Sequence, residues 1–191
     1  MLTWPHKNTD WADNLARVEP VSMNRRLEQT LSNTGLPVTL LRAAYFMENW
    51  EPFLKRAVQQ RQLNSFLAPL TQTFPMIATA DIGRIAAESL CENWSGVRIL
   101  DLEGPARYSP KDVAELLSMK LGAAIPPVSI PESDWEPSIA GQGFSSAAIA
   151  GFIEMTRGLN SGHIAFDDGL NVERRLGVVT LDSVIDALVT G

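Results

Sequence analysis

The chain has 191 residues and a net charge of −6, with 45% apolar and 20% charged residues, which suits one globular domain and excludes intrinsic disorder. No basic stripe of the kind that binds phosphate backbones is present, so we expect no direct nucleic-acid binding. The single cysteine excludes an internal disulfide. No apolar run approaches the roughly 20 residues of a membrane span, and the first residues lack signal-peptide features. We therefore expect a cytoplasmic protein that does not enter the membrane.

The first 21 residues show no clean periodicity and are left unassigned. The next segment predicts a helix that Ser22 caps and that ends before Gly35. Its inward-facing residues are Met23, Leu27 and Leu31. Residues 36–41 form an almost continuous apolar run, which is typical of a strand buried on both faces of a parallel sheet.

The middle of the chain continues this alternation of helices and strands. We predict a helix at 50–61, a loop to about 73, and strands at 74–78 and 97–102. Between these two strands, Thr79 is the expected N-cap of a helix with Asp81 in its first turn. The inward face of that helix is Ile82, Ile85, Ala86, Ser89 and Leu90.

The clearest helix start is Ser109-Pro-Lys-Asp112, because it offers a capping serine, a proline at the first helical position and an acid three residues later. This helix ends at Gly122. A short strand at 128–130 and helices near 145–160 and 181–189 complete the prediction. The fold class is α/β.

Motifs of common enzymes are absent from the sequence. There is no P-loop and no GxSxG elbow, and Gly141-Gln-Gly143 follows no predicted strand, so we interpret it as a joint between helices. His163 with Asp167 and Asp168 is better explained by a solvated turn, so no metal site is expected.

The remaining reactive side chains also give no catalytic site. Tyr45 and Tyr108 lack a lysine at the YxxxK spacing, so no catalytic residue is assigned. Cys91 ends a predicted helix and is expected to behave as a small buried hydrophobe.

The segment 42–50 follows a predicted parallel strand directly, and ligands of open α/β sheets bind at such carboxyl ends. Its aromatic residues and polar tips have the composition of a ligand pocket. Alternatively, the aromatic side chains cover the sheet edge.

Several stretches together resemble the NmrA-like group of atypical short-chain dehydrogenases/reductases over roughly residues 23–190. They are 35–50, 75–87, 102–105, 108–110 and 181–189. The resemblance implies an NAD(P)-binding Rossmann fold with a smaller, mostly helical C-terminal substrate lobe. It also implies either reductase activity or a cofactor-sensing regulatory role.

The resemblance also implies a site and a division of the chain. The residues that would line the nicotinamide and substrate end of the cleft are Ala43, Ala44, Tyr45, Phe46, Glu48 and Asn49. Ala43 stands where the family often has proline. The family's glycine-rich fingerprint would precede Ser22, where about twenty unrelated residues stand, so we expect a partial Rossmann-like sheet with its N-terminal strands missing. The expected division is 1–21 unassigned, 22–105 Rossmann remnant and 106–191 C-terminal lobe.

These expectations lead to three hypotheses about function, of which the third is a degenerate fragment with no function of its own. In the first, the chain is a truncated relative of NAD(P)H-dependent oxidoreductases that act on a small molecule, with impaired dinucleotide binding. In the second, it is a non-enzymatic redox-sensing or transcriptional regulator that acts through protein partners. Unpaired strand edges also predict a homodimer.

Overall fold

The computed structural model describes residues 2–3, 19–166 and 172–190. The seven helices among these residues are α1 (Glu19–Ser32), α2 (Glu51–Gln60), α3 (Thr79–Leu90), α4 (Pro110–Leu121), α5 (Trp135–Ile139), α6 (Ser146–Asn160) and α7 (Leu181–Thr190). The strands are β1 (Leu2–Thr3), β2 (Val38–Ala43), β3 (Tyr45–Phe46), β4 (Leu63–Ser65), β5 (Phe74–Ile77), β6 (Val97–Glu103), β7 (Arg107–Tyr108), β8 (Pro127–Ser129) and β9 (Val172–Leu176). Short 3₁₀ turns occupy 47–50 and 132–134.

The largest sheet has the order β1-β2-β6-β9, and all its strands are parallel. Strands β2 and β6 pair along their whole common length, from Val38 opposite Val97 to Ala43 opposite Leu102. This confirms the predicted α/β class and Rossmann-like parallel sheet. Every carboxyl end of these strands lies at the same edge.

Helix α3 covers one face of this sheet through a buried apolar cluster that includes Leu41, Leu100, Leu102 and Ile85. Two expectations for α3 are wrong: Ala78, not Thr79, is the N-cap residue, and Leu90 is 80% exposed. Cys91, directly after α3, is exposed rather than buried.

Helix α1 packs near β2 with a charged rather than an apolar contact. The Glu28 carboxylate and the Arg42 guanidinium form two hydrogen bonds, at 3.2 and 3.0 Å, and both residues are buried. Leu27, predicted to face inward, is 48% exposed. Ser22 does not cap the helix, because α1 begins at Glu19. The side chain of Met23 lies outside the described ones.

The second part of the core lies between the smaller sheets, β3-β5-β7 and β4-β8, and helices α2, α4 and α7. Its fully buried side chains include Trp50, Leu54, Leu117 and Ile185. The predicted capping box of α4 is confirmed: Ser109 Oγ accepts a hydrogen bond from the Asp112 N–H, and the Asp112 carboxylate accepts one from the Ser109 N–H.

Some elements were not predicted from the sequence. Strand β4 lies in the predicted loop before residue 73, and neither α5 nor β9 was expected. Strand β9 belongs to the predicted C-terminal lobe in sequence but pairs with β6 in the largest sheet, so the division at residue 105 stays a prediction. Gly141 and Gly143 do join two helices, with φ of +82° and +86°. No helix in the described ranges is long and apolar enough to span a bilayer.

Candidate active site

The polypeptide leaves β2 through two small buried residues. Ala43 and Ala44 are 2% and 1% exposed, and the Ala44 N–H donates to the Leu102 carbonyl at 2.9 Å, which continues the β2–β6 ladder. Directly after β6, the Gly104 N–H donates to the Met76 carbonyl at 2.7 Å. The ends of β2, β5 and β6 are thereby held together beneath the predicted site.

Tyr45 and Phe46 form strand β3, and because neighbouring residues of a strand point to opposite faces, their rings separate. Tyr45 packs against the core of α2, α4 and α7, whereas Phe46 packs against the cluster under α3. The two aromatic residues that the resemblance assigns to one cleft therefore lie in two different environments.

The Glu48 carboxylate forms a structural contact with Thr79 at the start of α3. Its Oε1 atom accepts hydrogen bonds from the N–H of Thr79 at 2.9 Å and from the Thr79 hydroxyl at 2.7 Å. Since Ala78 offers no side-chain cap, the Glu48 carboxylate takes that place at the positively polarised start of α3. Glu48 Oε2 is buried and has no partner among the described residues. Asn49 is exposed.

An aromatic cleft opens beside Tyr45, between the chain at 45–67 and helix α6. We use this name for the space lined by Tyr45, Trp50, Phe53, Ser65, Phe66, Leu67, Phe152, Met155, Thr156 and Leu159. Its rings form a series in which each ring meets the next edge to face. The centroid distances are 6.3 Å for Tyr45–Trp50, 5.9 Å for Trp50–Phe53, 5.6 Å for Phe53–Phe66 and 5.2 Å for Phe66–Phe152.

The aromatic cleft is narrow and contains few polar groups. Its cavity volume is about 10 Å³, which is the room for about one water molecule. The Trp50 indole N–H is buried and has no acceptor among the described residues. A tyrosine hydroxyl is protonated at neutral pH and can act as a hydrogen-bond donor, and burial raises the pKa of the Tyr45 hydroxyl further.

Only one end of this cleft is predictable from the sequence. Tyr45 and Trp50 belong to the segment singled out there, but Phe66 and Phe152 are distant in sequence and carry no motif. The His163 ring contacts the Ser161 hydroxyl at 2.7 Å, while Asp167 and Asp168 lie outside the described residues. Within the described ranges, no group of histidine, cysteine and acidic side chains could hold a metal ion.

The start of α3 does not fit the diphosphate of a dinucleotide. A helix that starts directly after a parallel strand is the usual phosphate site, and α3 after β5 has this arrangement. Its first N–H is already bonded to the Glu48 carboxylate, which would repel a phosphate, and the turn at Ala78 contains no glycine.

A comparison with protein families decides the relationship, since the model of the NmrA-like family matches residues 20–181. The chain belongs to the NmrA-like family. Among solved structures, it is similar to an NADPH-dependent quinone oxidoreductase of Escherichia coli, with 18% identity, a TM-score of 0.77 and 98% of this chain covered. It is also similar to leucoanthocyanidin reductase of Vitis vinifera, with 14% identity, a TM-score of 0.68, and 100% of this chain and 68% of the reductase covered. These similarities establish the Rossmann-like fold.

Among curated proteins, this NmrA-like chain is similar to prestalk A differentiation protein A of Dictyostelium discoideum, with 26% identity over 122 residues, or 63% of this chain. The chain spans 40% of the Dictyostelium protein and 66% of the quinone oxidoreductase. It therefore corresponds to only part of these relatives.

Proposed function

We propose that the chain forms the substrate-binding side of an NAD(P)H-dependent oxidoreductase that acts on a small planar carbonyl compound, such as a quinone. The observation that carries this proposal is the aromatic cleft, which lies directly after the carboxyl end of β2, where open α/β sheets bind ligands. Relatives of the same fold support it, because one is an NADPH-dependent quinone oxidoreductase and another is a reductase.

The chain's own residues would bind and orient the substrate. The aromatic rings offer flat faces and edges to a planar ring, and they exclude water. The protonated Tyr45 hydroxyl would donate a hydrogen bond to a carbonyl oxygen. Because burial raises its pKa and no lysine stands at the YxxxK position, Tyr45 does not act as a base. A substrate larger than water requires the rings of the cleft to move apart, since the cavity is about 10 Å³.

Binding of the whole dinucleotide by this chain is proposed to be weak. The nicotinamide end would meet the backbone around Ala43 and Ala44 and the exposed Asn49, but the diphosphate would lack a glycine turn. Titration of the purified protein with NADPH, followed by NADPH fluorescence, is expected to give no saturation at micromolar concentrations. Micromolar affinity would contradict this part of the proposal.

Two measurements test the substrate side. Quinones should quench tryptophan fluorescence through the aromatic cleft, and Phe152→Ala should change the quinone affinity because Phe152 lines the cleft. Phe144→Ala is the matched control, because Phe144 is 60% exposed and does not line the cleft. NADPH consumption in the presence of a quinone panel then tests turnover. If quinones neither bind nor are reduced, the proposed function is wrong.

A non-enzymatic regulator is the second candidate. It is supported by the similarity to a Dictyostelium protein whose name refers to differentiation, and by the missing Tyr–Lys pair. In this case the chain would act through protein partners. Copurification of a specific partner, together with no turnover of NADPH, would favour the regulator over the oxidoreductase.

A further inference from the structure

A second cavity lies on the other side of the Phe53–Phe66 ring pair. Its volume is about 70 Å³, and we call it the amide pocket, because three side-chain amides line it. Its lining residues are Phe53, Arg56, Gln60, Gln62, Asn64, Phe66, Ile130 and Ser138. Phe53 and Phe66 line both this pocket and the aromatic cleft, so the two rings, 5.6 Å apart, form the wall between them.

The three amide side chains hold one another in place through hydrogen bonds. The Gln62 Nε2 atom donates to Asn64 Oδ1 at 3.0 Å, and the Asn64 Nδ2 atom donates to Gln60 Oε1 at 3.2 Å. This chain of hydrogen bonds leaves the Gln60 amide nitrogen as a donor at its end. The Ser138 hydroxyl donates to the Asp134 carbonyl at 2.6 Å. Fixed polar groups thus surround the pocket before any ligand arrives.

Among the described residues that line the amide pocket, Arg56 carries the only charge. Its neighbour Lys55 pairs with Glu51 at 2.6 Å, but Arg56 forms no ion pair or hydrogen bond within the described part of the chain. No carboxylate from the described part of the chain lines the pocket. A planar guanidinium with five N–H donors matches a carboxylate, which can accept two parallel hydrogen bonds.

We propose that the amide pocket binds the carboxylate of a small aromatic acid, with Arg56 as the charged anchor. The pocket's volume of about 70 Å³ is smaller than a cavity of about 150 Å³ that binds benzene, so the carboxylate rather than the ring enters the pocket. The ring of the ligand packs against Phe53, which lines the pocket and is only partly buried. This inference goes beyond the proposed function and does not rest on it, because the amide pocket and the aromatic cleft lie on opposite sides of the Phe53–Phe66 ring pair.

Direct binding tests the inference without any cofactor. Benzoate and its neutral analogue benzamide are titrated against the full chain and followed by ligand-observed NMR. We expect benzoate to bind and benzamide to bind about tenfold more weakly, because only benzoate forms a charge-assisted pair. Arg56→Gln should weaken benzoate about tenfold and leave benzamide unchanged. Lys55→Gln removes the same charge one position away and should change neither.

A third variant keeps the charge. Arg56→Lys should bind benzoate more tightly than Arg56→Gln and less tightly than the parent, because lysine lacks the planar fork. If Arg56→Gln does not fold, the weaker binding of benzoate by Arg56→Lys than by the parent tests the inference instead. Equal binding of benzoate and benzamide, no binding of benzoate, or the same loss with Lys55→Gln would overturn the inference. Benzoate binding with these variant effects would uphold the pocket even if quinones neither bind nor are reduced, which would reject only the proposed function.

Discussion

Replacement of Glu48 separates a structural role from a direct cofactor contact. Glu48→Ala removes two hydrogen bonds from Thr79, at 2.9 and 2.7 Å, and leaves the start of α3 uncapped. A bond to a charged group contributes about 1.5–3 kcal/mol when buried, and a lost cap costs about 1 kcal/mol. Because Glu48 is only partly buried and its Oε2 atom has no described partner, we expect a loss near the low end, about 2 kcal/mol. This corresponds to a fall in Tm of about 4–8 °C.

Urea denaturation and thermal melts measure this loss, with Glu51→Ala as the control. Glu51 is a nearby acid whose ion pair with Lys55 is exposed, so its replacement should cost about 0.5 kcal/mol. Thr79→Val removes the hydroxyl partner, and the Glu48→Ala/Thr79→Val double mutant should cost less than the sum of the single ones by about 1 kcal/mol. If Glu48→Ala costs no more than Glu51→Ala, Glu48 does not hold α3.

The other predictions concern stability and assembly. Gly104→Ala should lower the free energy of unfolding by about 1–3 kcal/mol, because its Cβ would lie 2.5 Å from a main-chain oxygen. Gly83 in α3 has open space around it, so Gly83→Ala should raise the free energy of unfolding by about 0.5–1 kcal/mol. The same urea titration measures both. Two arginines lower the pKa of Glu92 from 4.5 to about 2, so its contribution to stability is complete above pH 4.5 and is lost as the pH falls towards 2. Melting temperatures of the parent and Glu92→Gln should therefore converge over that range, and a constant difference would contradict the assignment. Strand β9 ends the sheet among the described residues, so we expect a dimer through antiparallel pairing of two β9 strands, in which Glu173 faces Arg175 of the second copy. Light scattering that shows only monomer would refute it.

Local signals predicted most of the elements correctly, because their determinants lie within a few residues. The capping box at Ser109 fixes the start of α4, and the apolar run before Arg42 gives a buried parallel strand. Strand β9 was missed for the opposite reason. Its sequence, Val-Glu-Arg-Arg-Leu, is mostly charged, and what makes it a strand is pairing with β6.

The candidate site also depends on contacts between residues that are distant in sequence, so it could be predicted only in part. Sequence order placed Tyr45 and Phe46 in one cleft, but the alternation of side chains along β3 sends them to different clusters. The aromatic cleft depends on contacts between Phe66 and Phe152, which are 86 positions apart and belong to no motif. The role of Glu48 likewise depends on its approach to Thr79, which spacing alone could not reveal.

The Glu28–Arg42 pair determines how α1 is seated on the sheet. An apolar stripe tolerates small rotations of a helix about its axis, whereas a two-pronged bond to a guanidinium allows one orientation. A groove of about 490 Å³ lies beside this bond, and water that enters it would weaken the attraction by raising the local dielectric constant. We therefore expect the attachment of α1 to weaken when water reaches this pair, while the angle of α1 on the sheet stays fixed as long as the pair remains buried from water.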